Sequence, residues 1–388
     1  MTVTTGLDRL LKDPARHLEA QSVALVTNHT GVTRSLESAL DALHECSEIK
    51  LVAAFGPEHG VRGDVQDTLG VESSVDRHTG VTVHSLYGDH VKPTPEALAG
   101  VDAMVFDIQD CGARFYTYVS TLTYCMEAAE EHGVSMVVLD RPNPLNGEAV
   151  EGNILKPGYA SFIGLHPVPI RHGLTVGELA LLINRGVGCD LAVVEMKGWG
   201  RGMWYDETGL PWVQPSPNLP TLDTATVYPG TCFFEGVNAS EGRGTTKPFE
   251  YLGAPWVDGR GWAAALNGLG LPGVGFRACY FTPAYLRYKD ERCGGVQVHV
   301  TDRDAFKPVE TGLHLLRTLM GLQPDGFAFN EPTYEERRHF DLLAGTDRLR
   351  RSLAEGAEVD DIVSSWAPGL ARFRDECEST LLYGEAEA

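Results

Sequence analysis

Five short apolar runs, each closing on a polar tip shaped by Gly or Pro, restrict what this chain can build. Ser22–Thr27 (SVALVT) ends at Asn28-His29-Thr30-Gly31, and Ile49–Phe55 (IKLVAAF) ends at Gly56-Pro57-Glu58-His59-Gly60. Val81–Leu86 closes at Tyr87-Gly88, Ala103–Ile108 (AMVFDI) at Gln109-Asp110-Cys111-Gly112, and Val134–Leu139 (VSMVVL) at Asp140-Arg141-Pro142-Asn143-Pro144. Helical stretches are expected from Ser35 to about Cys46 and from about Tyr116 to His132. Apolar runs of strand length alternating with helices indicate βαβ units and a mostly parallel sheet. Runs without polar alternation are buried on both faces. Residues 1–200 therefore predict a Rossmann-like three-layer α/β domain, with a helix at about Thr175–Arg185 and a strand at Leu191–Met196 returning to the sheet. Residues 201–388 predict a loop-rich segment, reaching Trp256, and a smaller α+β C-terminal domain. Its strands are expected at Gly275–Phe281 and Gly295–Thr301, and its helices at Phe306–Leu322, Thr346–Glu355, Val359–Ser365 and Leu370–Cys377.

Charge removes several function classes. The chain has 388 residues with 32 Lys and Arg against 53 Asp and Glu, a net charge of −21. A phosphate backbone repels such a surface, so no nucleic-acid partner is expected. An anionic membrane surface is disfavoured for the same reason, and no run reaches the ~18 apolar residues of a membrane span. The N-terminus shows no basic start followed by an apolar stretch. None of the eight cysteines forms a C-x-x-C pair, so they predict reduced thiols and a cytoplasmic protein.

In open parallel sheets ligands bind outside the carboxyl ends of the strands, so the tips are the place to look for chemistry. At the second tip Glu58 follows a buried strand, where a carboxyl suits a general acid; His59, Arg62 and Asp64 follow it. At the fourth tip come Asp107, Asp110, Arg114, Tyr116 and Tyr118. Arg114 has two readings there, an ion pair with Asp107 or Asp110, or recognition of an anionic substrate group. A third dense segment, Phe233 to Thr246, carries Glu235, Asn238, Glu241 and Arg243 among three glycines that permit close backbone approach. No P-loop, strand–GxGxxG–helix fingerprint, H-E-x-x-H pair or G-x-S-x-G elbow occurs, so no cofactor, metal or serine nucleophile is expected.

These residues lie within longer motifs. TNHTGV (Thr27–Val32), FGPEHGVRGD (Phe55–Asp64), SLYG (Ser85–Gly88), FDIQDCGARFYTY (Phe106–Tyr118) and LDRPNPLNG (Leu139–Gly147) come first. PSPNLPTLDTATVYPGT (Pro215–Thr231) and FEGVNASEGRGTTKPFEYLGAPW (Phe234–Trp256) follow. From about residue 20 to Tyr383 the sequence resembles the exo-β-N-acetylmuramidase (NamZ-like) family of glycoside hydrolases. The resemblance implies release of N-acetylmuramic acid from the non-reducing end of peptidoglycan-derived glycans, in a cleft between a Rossmann-like and a smaller C-terminal domain. It places the family's proposed catalytic glutamate at Glu58.

Glycoside cleavage generally takes two carboxyl groups, and Glu235 is the favoured partner over Glu241, Asp64 and Asp110. The lactyl carboxylate of muramic acid calls for a cation, for which Arg62, Arg114 and Arg243 are candidates. Asn28, His59, Tyr116 and Asn238 are further candidate substrate contacts, and Trp199, Trp204, Tyr116 and Tyr228 candidate sugar platforms. Two other readings of the same sheet edge are a non-catalytic sugar- or nucleotide-binding protein and a metal-dependent hydrolase built on His29, His59 and Asp110.

Overall fold

The structure, a computed structural model, describes residues 2–58, 60–63, 73–88, 90–333 and 336–385. Among the described residues seven strands form one sheet: β1 (Ser22–Thr27), β2 (Lys50–Gly56), β3 (Ser74–Val75), β4 (Thr82–Ser85), β5 (Ala103–Asp107), β6 (Ser135–Leu139) and β7 (Leu191–Val194). Their order is β3-β4-β2-β1-β5-β6-β7. All neighbours pair in parallel except the short β3, which runs antiparallel to β4 at the edge. Without that edge strand this is the doubly wound Rossmann order, and its strand direction of travel reverses between β1 and β5.

β1 shows why the run is continuously apolar. Successive side chains point to opposite faces, so Val23 and Leu25 join one buried cluster and Ala24 and Val26 the other. The helices Gly6–Lys12 and Ala39–Glu45 cover the first face, with Leu7, Leu10, Leu40 and Leu43 fully buried there. The helices Tyr118–His132 and Val176–Val187 cover the second. The predicted three-layer domain is present.

The second, smaller sheet is antiparallel, β8 (Tyr251–Ala254), β9 (Val274–Phe281) and β10 (Cys293–Val300), in the order β8-β10-β9. Trp262 from the helix Gly259–Gly268 and Leu313, Leu316 and Leu319 from the helix Pro308–Leu322 pack into the same apolar cluster as Phe106 of β5 and Met126 of the helix Tyr118–His132. A single core therefore runs through both sheets.

Several elements are not expected from the sequence, among them the helices Gly6–Lys12 and Gly259–Gly268 and the strand β8. The segment expected to be loop contains the helix Leu222–Thr231, capped by the Thr221 side chain and continued by a 3₁₀ turn at Cys232–Gly236. Pro229 lies inside that helix and hides it from propensity, because proline removes a helical hydrogen bond. Every residue from Thr224 to Thr231 is buried, and packing of this kind outweighs propensity. A helix also forms at His339–Ala344. No helix among the described residues is long and apolar enough to cross a membrane.

Candidate active site

The polar tips do gather along one edge of the sheet, and most of their side chains hold loops in place. Asp107, at the end of β5, is bound in bidentate fashion by Arg141 beyond β6, at 2.6 and 2.8 Å, with both side chains buried. Arg114 is therefore not the partner of Asp107. Asp140 accepts from Thr175 Oγ1 and the Gly177 amide, both at 2.8 Å, and from the Tyr383 hydroxyl. Burial pushes the Asp140 carboxyl up to about 7 against these donors. Asn143 donates to the Leu174 carbonyl and accepts from the Leu145 amide.

Beside this scaffold opens a cavity of about 870 Å³. Glu58 enters it from the tip of β2, and Tyr87 from beyond β4. Phe115, Tyr116 and Tyr118 line it from the start of the helix after β5. Tyr228, Glu235, Glu241, Arg243, Phe249 and His339 line it from the second half of the chain. The aromatic wall braces itself edge to face: Tyr116 and Tyr118 at 4.9 Å between ring centroids, Phe115 and Tyr228 at 5.3 Å, Tyr228 and Phe249 at 4.8 Å. The Tyr116 hydroxyl is buried with no hydrogen-bond partner among the described residues.

Glu235 is the most defined group in the cavity. It sits on the 3₁₀ turn Cys232–Gly236, and its neighbour Gly236 lets the helix His339–Ala344 dock against that turn. A Cβ on Gly236 would lie 2.6 Å from Phe340 Cα. The docking brings His339 Nε2 to 3.1 Å from Glu235 Oε2, while Arg243 Nη1 lies 2.7 Å from Oε1. Burial alone would raise the Glu235 pKa. The charge of Arg243, with His339, outweighs it and holds the carboxyl at about 2, so it stays ionised. Arg243 also reaches Glu241 at 3.3 Å and stands over the Phe249 ring at 4.8 Å. Glu58 is partly buried and has no cationic partner among the described residues. Glu58 and Tyr118 line the same cavity, and burial raises the pKa of the Tyr118 hydroxyl.

Of the residues expected at the site, Glu58, Tyr116, Glu235, Glu241 and Arg243 line this one cavity. Others do not. Asp110 is buried outside the lining, accepts from the Gly112 amide at 2.7 Å and lies 3.4 Å from His172 Nε2. Its other carboxylate oxygen, Oδ1, is buried with no hydrogen-bond partner among the described residues. Arg62 is committed to Asp41 and Asp76 at 2.8 and 3.0 Å. Arg114 donates to the carbonyls of Asn153, Val168 and Leu343, tying the helix that carries His339 to the first domain. Asn238 bridges the Gly326 carbonyl and the Ala328 amide. Asn28 is buried and accepts from the Thr30 amide and hydroxyl. Trp199 packs with Val3 and Met196, and Trp204 lies between the guanidinium groups of Arg171 and Arg303. His59 and Asp64 lie outside the described residues. His29 Nε2 is hydrogen-bonded to the Gln214 carbonyl at 2.7 Å, and among the described residues His29 and Asp110 do not share a metal-ligand cluster.

Models of the exo-β-N-acetylmuramidase NamZ N-terminal and C-terminal regions match residues 23–223 and 226–383. The chain belongs to the NamZ family. It is 49% identical over 383 residues to the peptidoglycan β-N-acetylmuramidase NamZ of Bacillus subtilis (strain 168), covering 98% of this chain and 91% of that protein. Two crystal structures of DUF1343 family proteins from Bacteroides fragilis NCTC 9343 share the fold. One superposes with a TM-score of 0.91 at 40% identity, covering 98% of this chain and 99% of that one. The other has a TM-score of 0.78 at 31% identity, covering 99% and 100%.

Within this NamZ-family site, sequence reasoning missed His339, Arg287 and Tyr87, all in the lining. His339 is a lone histidine more than ninety positions past its partner Glu235, and only the docking at Gly236 joins them. Arg287 stands in a run of exposed and partly exposed residues between two strands, a pattern that carries no sequence signal.

Proposed function

We propose that this chain is an exo-β-N-acetylmuramidase in which Glu58 donates the proton to the leaving sugar and Glu235 acts as the ionised second carboxylate. The observation that carries this assignment is the contrast between two carboxyl groups lining one cavity. Glu235 is flanked by Arg243 and His339, while Glu58 has no cation beside it among the described residues. Cleavage of a glycosidic bond needs one carboxyl that can deliver a proton and one that remains charged against the oxocarbenium-like transition state. Tyr116, Tyr118 and Tyr228 line the cavity with aromatic rings suited to the apolar side of a sugar ring. The substrate is a peptidoglycan-derived glycan with N-acetylmuramic acid at its non-reducing end.

The first 200 residues supply the acid and the remaining segment supplies Glu235, so the reaction needs both. We place the protein in the cytoplasm, a reading supported by eight cysteines that are all free thiols, seven of them buried; fractionation of the producing cell tests it. The function itself is tested by incubating the protein with the disaccharide MurNAc-GlcNAc and separating the products. Release of both monosaccharides, undiminished by a chelator, is expected. Binding without product would leave a sugar-binding protein, and loss of turnover on chelation would mean a metal-dependent hydrolase.

A further inference from the structure

We propose that Arg287 selects muramic acid over unsubstituted amino sugars by pairing with the lactyl carboxylate of the substrate; this rests on the muramidase reading above. Arg287 lines the same cavity as Glu58 and Glu235. The other arginine in that lining, Arg243, is already held 2.7 Å from Glu235 and 3.3 Å from Glu241. His339 is held by Glu235. Arg287 has no hydrogen bond or ion pair among the described residues. Among the described residues it is the lining cation left to meet a carboxylate from outside, with a planar guanidinium fork suited to two-point recognition.

The backbone around Arg287 is fixed rather than loose. Arg287 lies in the hairpin joining β9 and β10, where Leu286, Tyr288 and Asp290 all take positive φ values near 60°. Such conformations in residues with a Cβ persist only where the surroundings over-determine them. Here the surroundings are identifiable. The Ala284 amide donates to the Gly244 carbonyl at 2.8 Å. Tyr285 Oη donates to Asn218 Oδ1 at 2.8 Å, and Tyr288 Oη donates to the Asn238 carbonyl while accepting from Trp256 Nε1. Gly244, with φ of +80°, allows this contact, because a Cβ there would lie 2.9 Å from the amide nitrogens of Ala284 and Tyr285. The hairpin is thus stitched to the turn carrying Arg243, and Arg287 is held at a set place in the cavity lining.

Charge makes such a residue necessary. The chain carries −21 overall, and Glu58, Glu235 and Glu241 all face the cavity. A neutral sugar can enter without compensation. A sugar bearing a carboxylate needs a local cation that the enzyme's own acids do not already hold.

The test compares two substrates on one protein: 4-nitrophenyl N-acetyl-β-muramide and its lactyl methyl ester, which replaces the negative charge by a neutral ester one methyl group larger. The readout is the ratio of kcat/KM for acid over ester, measured for the wild type, Arg287→Met and Arg287→Lys. We expect Arg287→Met to lower that ratio roughly tenfold to hundredfold, as loss of a charge-assisted hydrogen bond does. Most of the fall should lie in KM for the acid, and Arg287→Lys should recover part of it. An unchanged ratio, including an equal loss on both substrates, would overturn the assignment while leaving the muramidase reading intact. A wild type that cleaves neither muramide would overturn that reading and this inference with it.

Discussion

Glu235 has its charge fixed by two neighbours, and that has a consequence for stability. Its carboxyl moves from an ordinary 4.5 to about 2: burial pushes upward, and Arg243 and His339 push further downward. A carboxylate depressed in the folded state contributes stability that is present above its unfolded pKa and lost as pH falls through the folded value. The wild type should therefore lose stability as pH drops from about 4.5 toward 2, and Glu235→Gln should show a flatter profile over that window. Urea midpoints at intervals of pH measure it. The same substitution should also abolish most turnover at neutral pH. Arg114 makes a different prediction. Its guanidinium satisfies three carbonyls in a buried site, so Arg114→Met should cost on the order of 3 kcal/mol, read as a fall in Tm. If the Tm holds and activity alone is lost, Arg114 has a role beyond the clamp described here.

At the scale of elements, the site depends on one helix pressed against one turn. The helix His339–Ala344 meets the turn Cys232–Gly236 at Gly236, where an added methyl would lie 2.6 Å from Phe340 Cα and 2.8 Å from Phe340 N. Gly236→Ala should cost about 1–3 kcal/mol by overpacking and should also draw His339 away from Glu235. Reduced kcat in the still-folded variant, judged by circular dichroism, is the expected result. These elements also show what sequence can carry. The strand tips were legible because a buried parallel strand must be apolar throughout and must end where a polar turn begins, which put Glu58 at the site. Glu235, Glu241 and Arg243 were legible as a dense segment among glycines. The helix Leu222–Thr231 was not, because Pro229 speaks against it locally and only burial of the whole element speaks for it. Arg62, Arg114, Asn28, Asn238 and Asp110, also expected at the site, lie outside the cavity lining, a distinction sequence does not make because polar groups at strand tips and turns look alike. Whether such a group binds substrate or anchors a loop is decided by partners distant in the chain, such as Asp76 for Arg62 or Leu343 for Arg114.

At the scale of the molecule, two sheets share one apolar core, and the cavity takes residues from both halves. The buried pair Asp107–Arg141 ties the end of β5 to the turn after β6. Removing one partner strands the other charge in the interior, so Arg141→Met should cost about 3–5 kcal/mol, measured by denaturant unfolding. The net charge of −21 sits across this assembly as a barrier to anionic ligands, which makes recognition local and catalysis dependent on a few placed groups. The central claim is that Glu58 delivers the proton to the leaving sugar. Its most direct test is kcat/KM of Glu58→Gln on two substrates, MurNAc-GlcNAc and 4-nitrophenyl N-acetyl-β-muramide. A sugar alkoxide needs protonation to depart and a nitrophenolate hardly does. With Glu58 as the acid, Glu58→Gln should lower kcat/KM roughly 10²–10⁴-fold on the disaccharide and much less on the nitrophenyl substrate. An equal fall on both substrates, or none on the disaccharide, would contradict that role.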